Sequence, residues 1–356
     1  MISDFPQVSD IGVYLDWKTT GLLPASSIKA MQDLLLKGLG SMHKSGNKLD
    51  MESQDIYYEA IENIASFIHV DHERIVPISG RVSALNFLAE ALSDQEIELW
   101  TMDDNAVHAP FISRLGNKAK LVDNLEGGFT IASTVSSLTG ERSGVEMLDS
   151  IRVIDLSFET AIFDLRKINT TNAVVIAEGS MGLLGPIGSG YMVIGEGVEE
   201  YLSKYAIGTL GVSSVKPSEV SKVRGTDRFI IDPINLVALH GLEKSMEFVS
   251  QLSSESLSMQ GRVSKLRTML KDFPEIRDIS GEWSEHVTFH VEGWNAQELA
   301  ILLNEDSNIQ VRGGQLCSHL AIDKIGVPDA IRVSMHCITK DDDLLELRNA
   351  LEQLLS

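Results

Sequence analysis

Gly185-Pro186-Ile187-Gly188-Ser189-Gly190, running straight into Tyr191-Met192-Val193-Ile194, reads as a tight glycine–proline turn that feeds an apolar strand. Outward from it the chain alternates short apolar runs with longer amphipathic segments. Upstream, strands are predicted at Ala173 to Ala177, Arg152 to Leu156, Thr130 to Val135, Lys120 to Val122 and Glu98 to Met102, each followed by polar or glycine punctuation. Glu73 to Ile78 is a further short strand, broken at Gly80 before a helix at Ser83 to Leu92. Helices are also predicted at Ser26 to Gly38 and Tyr57 to His69, where apolar residues recur at helical spacing. Downstream, Asp232-Pro233 precedes a long helix at Asn235 to Leu252. Past it the texture changes. Met259 to Leu270 and Ala296 to Asn304 are amphipathic, His286 to Val291 alternates like a half-exposed strand, Ile331 to Met335 is a strand and Asp341 to Leu355 a closing helix. Strand–helix alternation of this kind builds a mainly parallel, doubly wound sheet. The reading is an α/β protein with an N-terminal segment over 1–13 packing with the small domain, a large domain over 14–250 and a smaller C-terminal α+β domain over 251–356.

Composition narrows the function. The chain has 356 residues, of which 43% are apolar and 23% charged, an ordinary globular balance. Lys and Arg total 30 against 51 Asp and Glu, a formal charge of −21. So acidic a surface repels phosphate backbones, which argues against nucleic acid and anionic membrane as partners. No apolar run reaches the ~18 residues of a spanning helix, and Met1-Ile2-Ser3-Asp4 opens without the basic and apolar regions of a secretory signal. Two cysteines, Cys317 and Cys337, make no disulfide framework, so a reducing cytoplasm is expected.

Several stretches resemble one family in its own order along the chain. Tyr14-Leu15-Asp16-Trp17-Lys18-Thr19-Thr20-Gly21 resembles the opening strand and turn of the class V aminotransferases that depend on pyridoxal phosphate (PLP), a group that includes cysteine desulfurases, selenocysteine lyases and isopenicillin-N-epimerase-like proteins. Tyr57 to Ile68 resembles the helix before their glycine-rich turn. Ser79-Gly80-Arg81-Val82-Ser83-Ala84-Leu85-Asn86 stands where they carry Gly-Thr-Thr-Glu-Ala-Ile-Asn, and Val153-Ile154-Asp155 resembles the strand ending in the cofactor's aspartate. Gly185 to Gly190 is similar to their Gly-Pro-x-Gly-x-Gly turn, and Gly225-Thr226 to the pair before the domain-linking helix. Val311-Arg312-Gly313-Gly314-Gln315-Leu316-Cys317 resembles the desulfurases' cysteine loop, and Ile331-Arg332-Val333-Ser334 the strand bearing their substrate arginine. The resemblance implies the fold type I PLP-transferase architecture, a homodimer and PLP as cofactor.

By that resemblance the cofactor pocket comprises Gly80, Arg81, Asn105, Asp155, Ser180, Gly182 and Thr226, with Arg332 as substrate-carboxylate ligand and Cys317 as candidate nucleophile. Covalent PLP chemistry needs a lysine amine, and the family's lysine position falls on Gly182. The nearest lysines along the chain are Lys167 and Lys204. Asn105 stands where the family stacks a histidine, with His108 three residues on; Phe158 replaces a glutamine and Arg81 a phosphate-binding threonine. Each surviving residue also has a plainer role. Asp155 can cap a strand end, Ser180 and Thr226 can cap turns, and Arg332 can sit in a structural ion pair. Cys317 is expected to be buried and inert, as most free cysteines are. Cys317, His319, His336 and Cys337 supply four soft ligands in number, but Cys-x-His and adjacent His-Cys are unusual zinc spacings, so no metal is expected.

Three functions follow. The first is a degenerate relative that has lost the Schiff-base machinery and binds a small anionic or amino-acid ligand or serves a partner subunit. The second is an active aminotransferase, desulfurase or epimerase-like enzyme using a displaced lysine, such as Lys222, or noncovalent PLP. The third reuses the crevice for another anion, with Arg81 as its anchor.

Overall fold

The computed structural model describes residues 2–41, 46–202, 211–223, 225–230 and 234–356. Lys204, Arg224, Asp232 and Pro233 lie outside them. Among the described residues the strands are β1 (Val13–Tyr14), β2 (Ile75–Pro77), β3 (Ile97–Trp100), β4 (Ala119–Val122), β5 (Phe129–Ser133), β6 (Arg152–Asp155), β7 (Ala173–Glu178) and β8 (Gly190–Ile194). They continue with β9 (Val212–Lys216), β10 (Glu219–Lys222), β11 (Ile276–Asp278), β12 (His286–Val291), β13 (Ile309–Gln310), β14 (Arg312–Gly314) and β15 (Ala330–Ser334). The helices that matter below are α1 (Val8–Ile11), α2 (Ala25–Lys37), α3 (Lys48–Ile68), α4 (Arg81–Ala91) and α5 (Asn105–Leu115).

Seven strands form the main sheet in the order β2-β8-β7-β6-β5-β3-β4. Neighbours from β7 to β4 pair in parallel, and β8 runs antiparallel to both β7 and β2. Alternate side chains of one strand feed two cores, as a sheet covered on both faces requires. Along β7, Ala173, Val175 and Ala177 join a core with α2 and α3, while Val174 and Ile176 join a core with α4 and α5. A second, antiparallel sheet runs β11-β12-β15-β14. It packs on helices Gln260–Leu270 and Asp341–Leu355 through Leu266, Phe289, Val333 and Leu347. The chain start is tied to this part, since β1 pairs with β13 and Asp16 bridges to Ser334. Phe5 packs edge-on against Trp17 and Phe248.

The architecture is the doubly wound α/β fold expected from the sequence, with three local corrections. β12 is buried along its whole length, not half exposed. It lies inside the sheet, and His286 Nε2 and Thr288 Oγ1 both bond the Leu138 carbonyl (3.2 and 2.6 Å), which seals the polar face. Helix α4 starts at Arg81, two residues before Ser83, because the Glu178 carboxylate accepts the Arg81 amide at 2.6 Å. Helix α5 carries Pro110 inside it and was not evident from the sequence. Asp104 opens it, accepting the Ala106 amide at 3.0 Å. Among the described residues no helix is long and apolar enough to cross a membrane.

Candidate functional site

In a parallel sheet the carboxyl ends of the strands define the crevice. Here five of them deliver charged or polar groups to one buried point. β2 leads into Gly80 and Arg81, and β3 into Asp103 and Asp104. β5 ends in Ser133, β6 in Asp155 and β7 in Glu178. The Arg81 guanidinium is the hub. Its Nε donates to Asp155 Oδ2 at 2.7 Å and its Nη1 to Asp104 Oδ2 at 2.7 Å. Nη2 lies 2.5 Å from the same Asp155 oxygen and 3.4 Å from Ser133 Oγ. The group stands over the Phe158 ring, 4.9 Å from its centroid. Arg81, Asp104 and Asp155 are all buried. Burial works against the arginine's charge, but Asp104 and Asp155 outweigh it and hold the guanidinium charged. Asp103 accepts the Ser133 amide and hydroxyl at 2.7 Å each. Burial first, and Asp104 second, push its carboxyl up to about 7.

Arg81 is the residue expected to anchor an external anion. Two carboxylates already occupy the guanidinium. Asp155 takes the plainer role the sequence allowed, its Oδ1 accepting the Ser157 amide at 2.9 Å, while its Oδ2 is bonded to Arg81.

Glu178 was not singled out by sequence. One oxygen accepts the Arg81 amide, the other the Ser180 hydroxyl at 3.1 Å, and burial raises its pKa. Ser180 thus serves Glu178. Gly80, with φ 147°, lets this carboxylate come close; a Cβ there would stand 3.0 Å from Glu178 Oε2. Thr226 donates to the Glu73 carbonyl at 2.6 Å, a backbone role.

Gly182 has no room for any side chain. A Cβ on it would lie 1.7 Å from the Glu159 carbonyl oxygen and 2.8 Å from its carbon. The Gly182 carbonyl faces His336 Nε2 at 3.2 Å, and that nitrogen also lies 2.9 Å from the Thr160 carbonyl. Burial drives the His336 imidazole down to about 4, so it is neutral and donates here.

Among the described residues the lysine that reaches this region is Lys18, only 3% exposed. Its Nζ donates to the Phe158 carbonyl and to Thr160 Oγ1 (3.2 Å), and lies 3.5 Å from Glu285. Burial lowers its pKa while Glu285 opposes that shift. Its place in the Asp16-to-Thr20 turn was the only signal in the sequence. Its partners lie on distant stretches. Lys222, the displaced lysine suggested by sequence, ends β10 in the hairpin with β9.

A second cluster joins Arg312, Arg332, Thr19, Asp16 and Cys317. Arg332 Nη2 and Arg312 Nη1 both donate to Thr19 Oγ1, at 2.6 and 2.9 Å. Thr19 Oγ1 in turn donates to Asp16 Oδ1 at 2.6 Å, and Arg332 also lies 3.3 Å from that oxygen. Arg332 is buried, its Nη1 bonds the Ser137 carbonyl at 3.0 Å, and its Nε has no hydrogen-bond partner among the described residues. Arg312 Nη2 stands 3.3 Å from Cys317 Sγ. Cys317 is exposed, contrary to expectation, in a loop where it and Leu316 both take left-handed backbone (φ 55° and 52°). Asn105 fixes that loop. Its amide donates to the Cys317 carbonyl at 2.7 Å and its Nδ2 lies 3.0 Å from His319 Nδ1. His319 and His336 thus serve different segments, and among the described residues no three His, Cys, Asp or Glu side chains could hold a metal.

The two thiols should separate in a labelling experiment. Cys337 is buried and its thiol is pushed up to about 11, whereas Cys317 is exposed beside a guanidinium. One thiol per chain is expected to react fast with Ellman's reagent and to vanish in Cys317→Ser. The second should react only on unfolding.

The aminotransferase class-V family model matches residues 13–126 and 163–347. CsdA of Escherichia coli, a cysteine desulfurase, is 21% identical over 99% of this chain and 96% of its own length. A probable cysteine desulfurase of Methanothermobacter thermautotrophicus is 21% identical, with the same coverage. The apo structure of a cysteine desulfurase from Thermococcus onnurineus superposes with a TM-score of 0.89, at 21% identity over 99% of this chain and 96% of that one. The crystal structure of the Escherichia coli CsdA gives 0.85 at 19%, covering 99% and 97%. Pyridoxal phosphate is the cofactor this resemblance implies. A family match over most of the length, on a doubly wound sheet of this topology, makes the chain a member of the class V aminotransferase family.

Proposed function

We propose that this chain is a degenerate member of its family, without covalent PLP chemistry, that works as a small-anion-binding or partner subunit. The observation that carries the reading is Gly182. The position that would have to supply the amine holds a glycine, packed so closely on the Glu159 carbonyl that no side chain fits. The remaining pocket residues do not fit the cofactor either, since the aspartate that would face its ring nitrogen is bonded to Arg81. The paired guanidinium groups of Arg312 and Arg332, with Thr19 and the exposed Cys317 beside them, suit a small carboxylate-bearing ligand. The proposal extends to a homodimer in a reducing cytoplasm, in keeping with the family resemblance and with two free cysteines.

One observation favours the second reading, an active enzyme with a displaced lysine. Lys18 Nζ bonds Thr160, whose Cα would stand 3.1 Å from a Cβ on Gly182. The test is to incubate the protein with PLP, reduce with borohydride and map the adducts. The expected result is no stoichiometric modification at any one lysine. Stoichiometric phosphopyridoxylation of Lys18 would replace the first reading with the second.

A further inference from the structure

Two buried groups of opposite charge stand at the two places where the implied cofactor would present opposite charges. The Arg81 guanidinium is flat and positive, lies over Phe158, and meets Asp155 through two nitrogens at 2.5 and 2.7 Å. A protonated ring nitrogen would ask the same of that carboxylate. The Glu178 carboxylate is negative and sits on the first turn of α4, where it takes the Arg81 amide at 2.6 Å and the Ser180 hydroxyl at 3.1 Å. A phosphate at a helix N-terminus draws on donors of the same kind.

We infer that Arg81 and Glu178 act together as an internal surrogate for pyridoxal phosphate, so that the chain fills its own cofactor pocket with a fixed cation and a fixed anion. This rests on the reading that covalent PLP chemistry is absent, and goes beyond it, since losing a lysine would not by itself prevent noncovalent binding. An entering ring would have to lift Arg81 off Asp104 and Asp155, leaving two buried carboxylates unpaired. An entering phosphate would meet the Glu178 carboxylate already bonded to the donors it needs. Asp103 adds a third acid next to Asp104. The two substitutions support one another. Arg81 supplies the backbone donor that holds Glu178 as well as the side chain that holds Asp155, so a single residue links the two ends of the surrogate.

Pyridoxine 5′-phosphate is a suitable probe, because it has the ring and phosphate but no aldehyde and forms no imine with any lysine. Calorimetric titration of the wild type is expected to show no saturable binding. The double variant Arg81→Thr/Glu178→Ala is expected to bind at least about tenfold tighter than the wild type, equivalent to ~1.4 kcal/mol. If it is too unstable to titrate, its melting temperature should rise with the probe while the wild type's does not. Glu178→Ala alone keeps the Arg81 ion pairs, and inorganic phosphate should stabilise it and not the wild type. The inference is overturned if the wild type binds the probe as tightly as the double variant, or if neither variant responds to its ligand. Because the probe has no aldehyde, neither result bears on the borohydride experiment.

Discussion

Arg81→Ala is expected to lose about 3–5 kcal/mol of stability at neutral pH, measured as the urea midpoint at constant slope. The large size comes from what remains, not from what is removed. Asp104 and Asp155 are buried, and the change takes away the guanidinium that both of them contact. Replacing one partner of a buried pair leaves an uncompensated charge, far costlier than losing a surface ion pair. The sign of the pH dependence follows. Without Arg81, which now holds Asp103 down against burial, the Asp103 carboxyl rises further above its unfolded value. The folded variant then takes up protons that its unfolded chain does not, so its stability falls as pH rises and recovers as pH drops. The deficit against the wild type should therefore shrink between pH 8 and pH 5. A deficit that is constant across that range would show that lost packing, not unpaired charge, dominates.

Gly182→Ala should cost about 3 kcal/mol, the upper end for overpacking. The conflict is with backbone, since the new Cβ would meet the Glu159 carbonyl group. Flexible side chains can swing away from an added methyl. Here the 158–160 segment itself must move, and it is held by Lys18 and His336. Gly182→Lys should be at least as unstable and should gain no stoichiometric aldimine with PLP, so restoring the family's residue does not restore its chemistry. Thermal unfolding of both variants, with an absorbance scan of the lysine variant in the presence of PLP, checks this. An Ala variant as stable as the wild type would mean that the segment yields easily.

The sheet was legible from sequence because each strand is a short apolar run closed by polar residues, as Arg152 to Leu156 shows. Helix α5 escaped because Pro110 interrupts the local pattern. It is stabilised instead by the Asp104 cap and by burying Val107 and Phe111 against α4 and the sheet. β12 reads as half exposed because His286, Thr288 and His290 alternate with apolar residues as in a solvent-facing strand. Their cover comes from the Leu138 carbonyl and Asp329, distant in sequence. The site shows the same limit. Arg81, Asp155 and Gly182 were located by resemblance, but residues 74 apart give no sign that they touch. Glu178 and Lys18 stood out even less, because their meaning lies wholly in the amide, carbonyl and hydroxyl groups that the fold brings to them.

The most direct test of the account is a crystal structure of the wild-type protein grown in excess pyridoxal phosphate. The account predicts the Arg81 guanidinium between Asp104 and Asp155, the Glu178 carboxylate on the first turn of α4, and no coenzyme in the pocket. Density for the coenzyme ring against Asp155, with Arg81 swung aside or a lysine amine bonded to it, would contradict it.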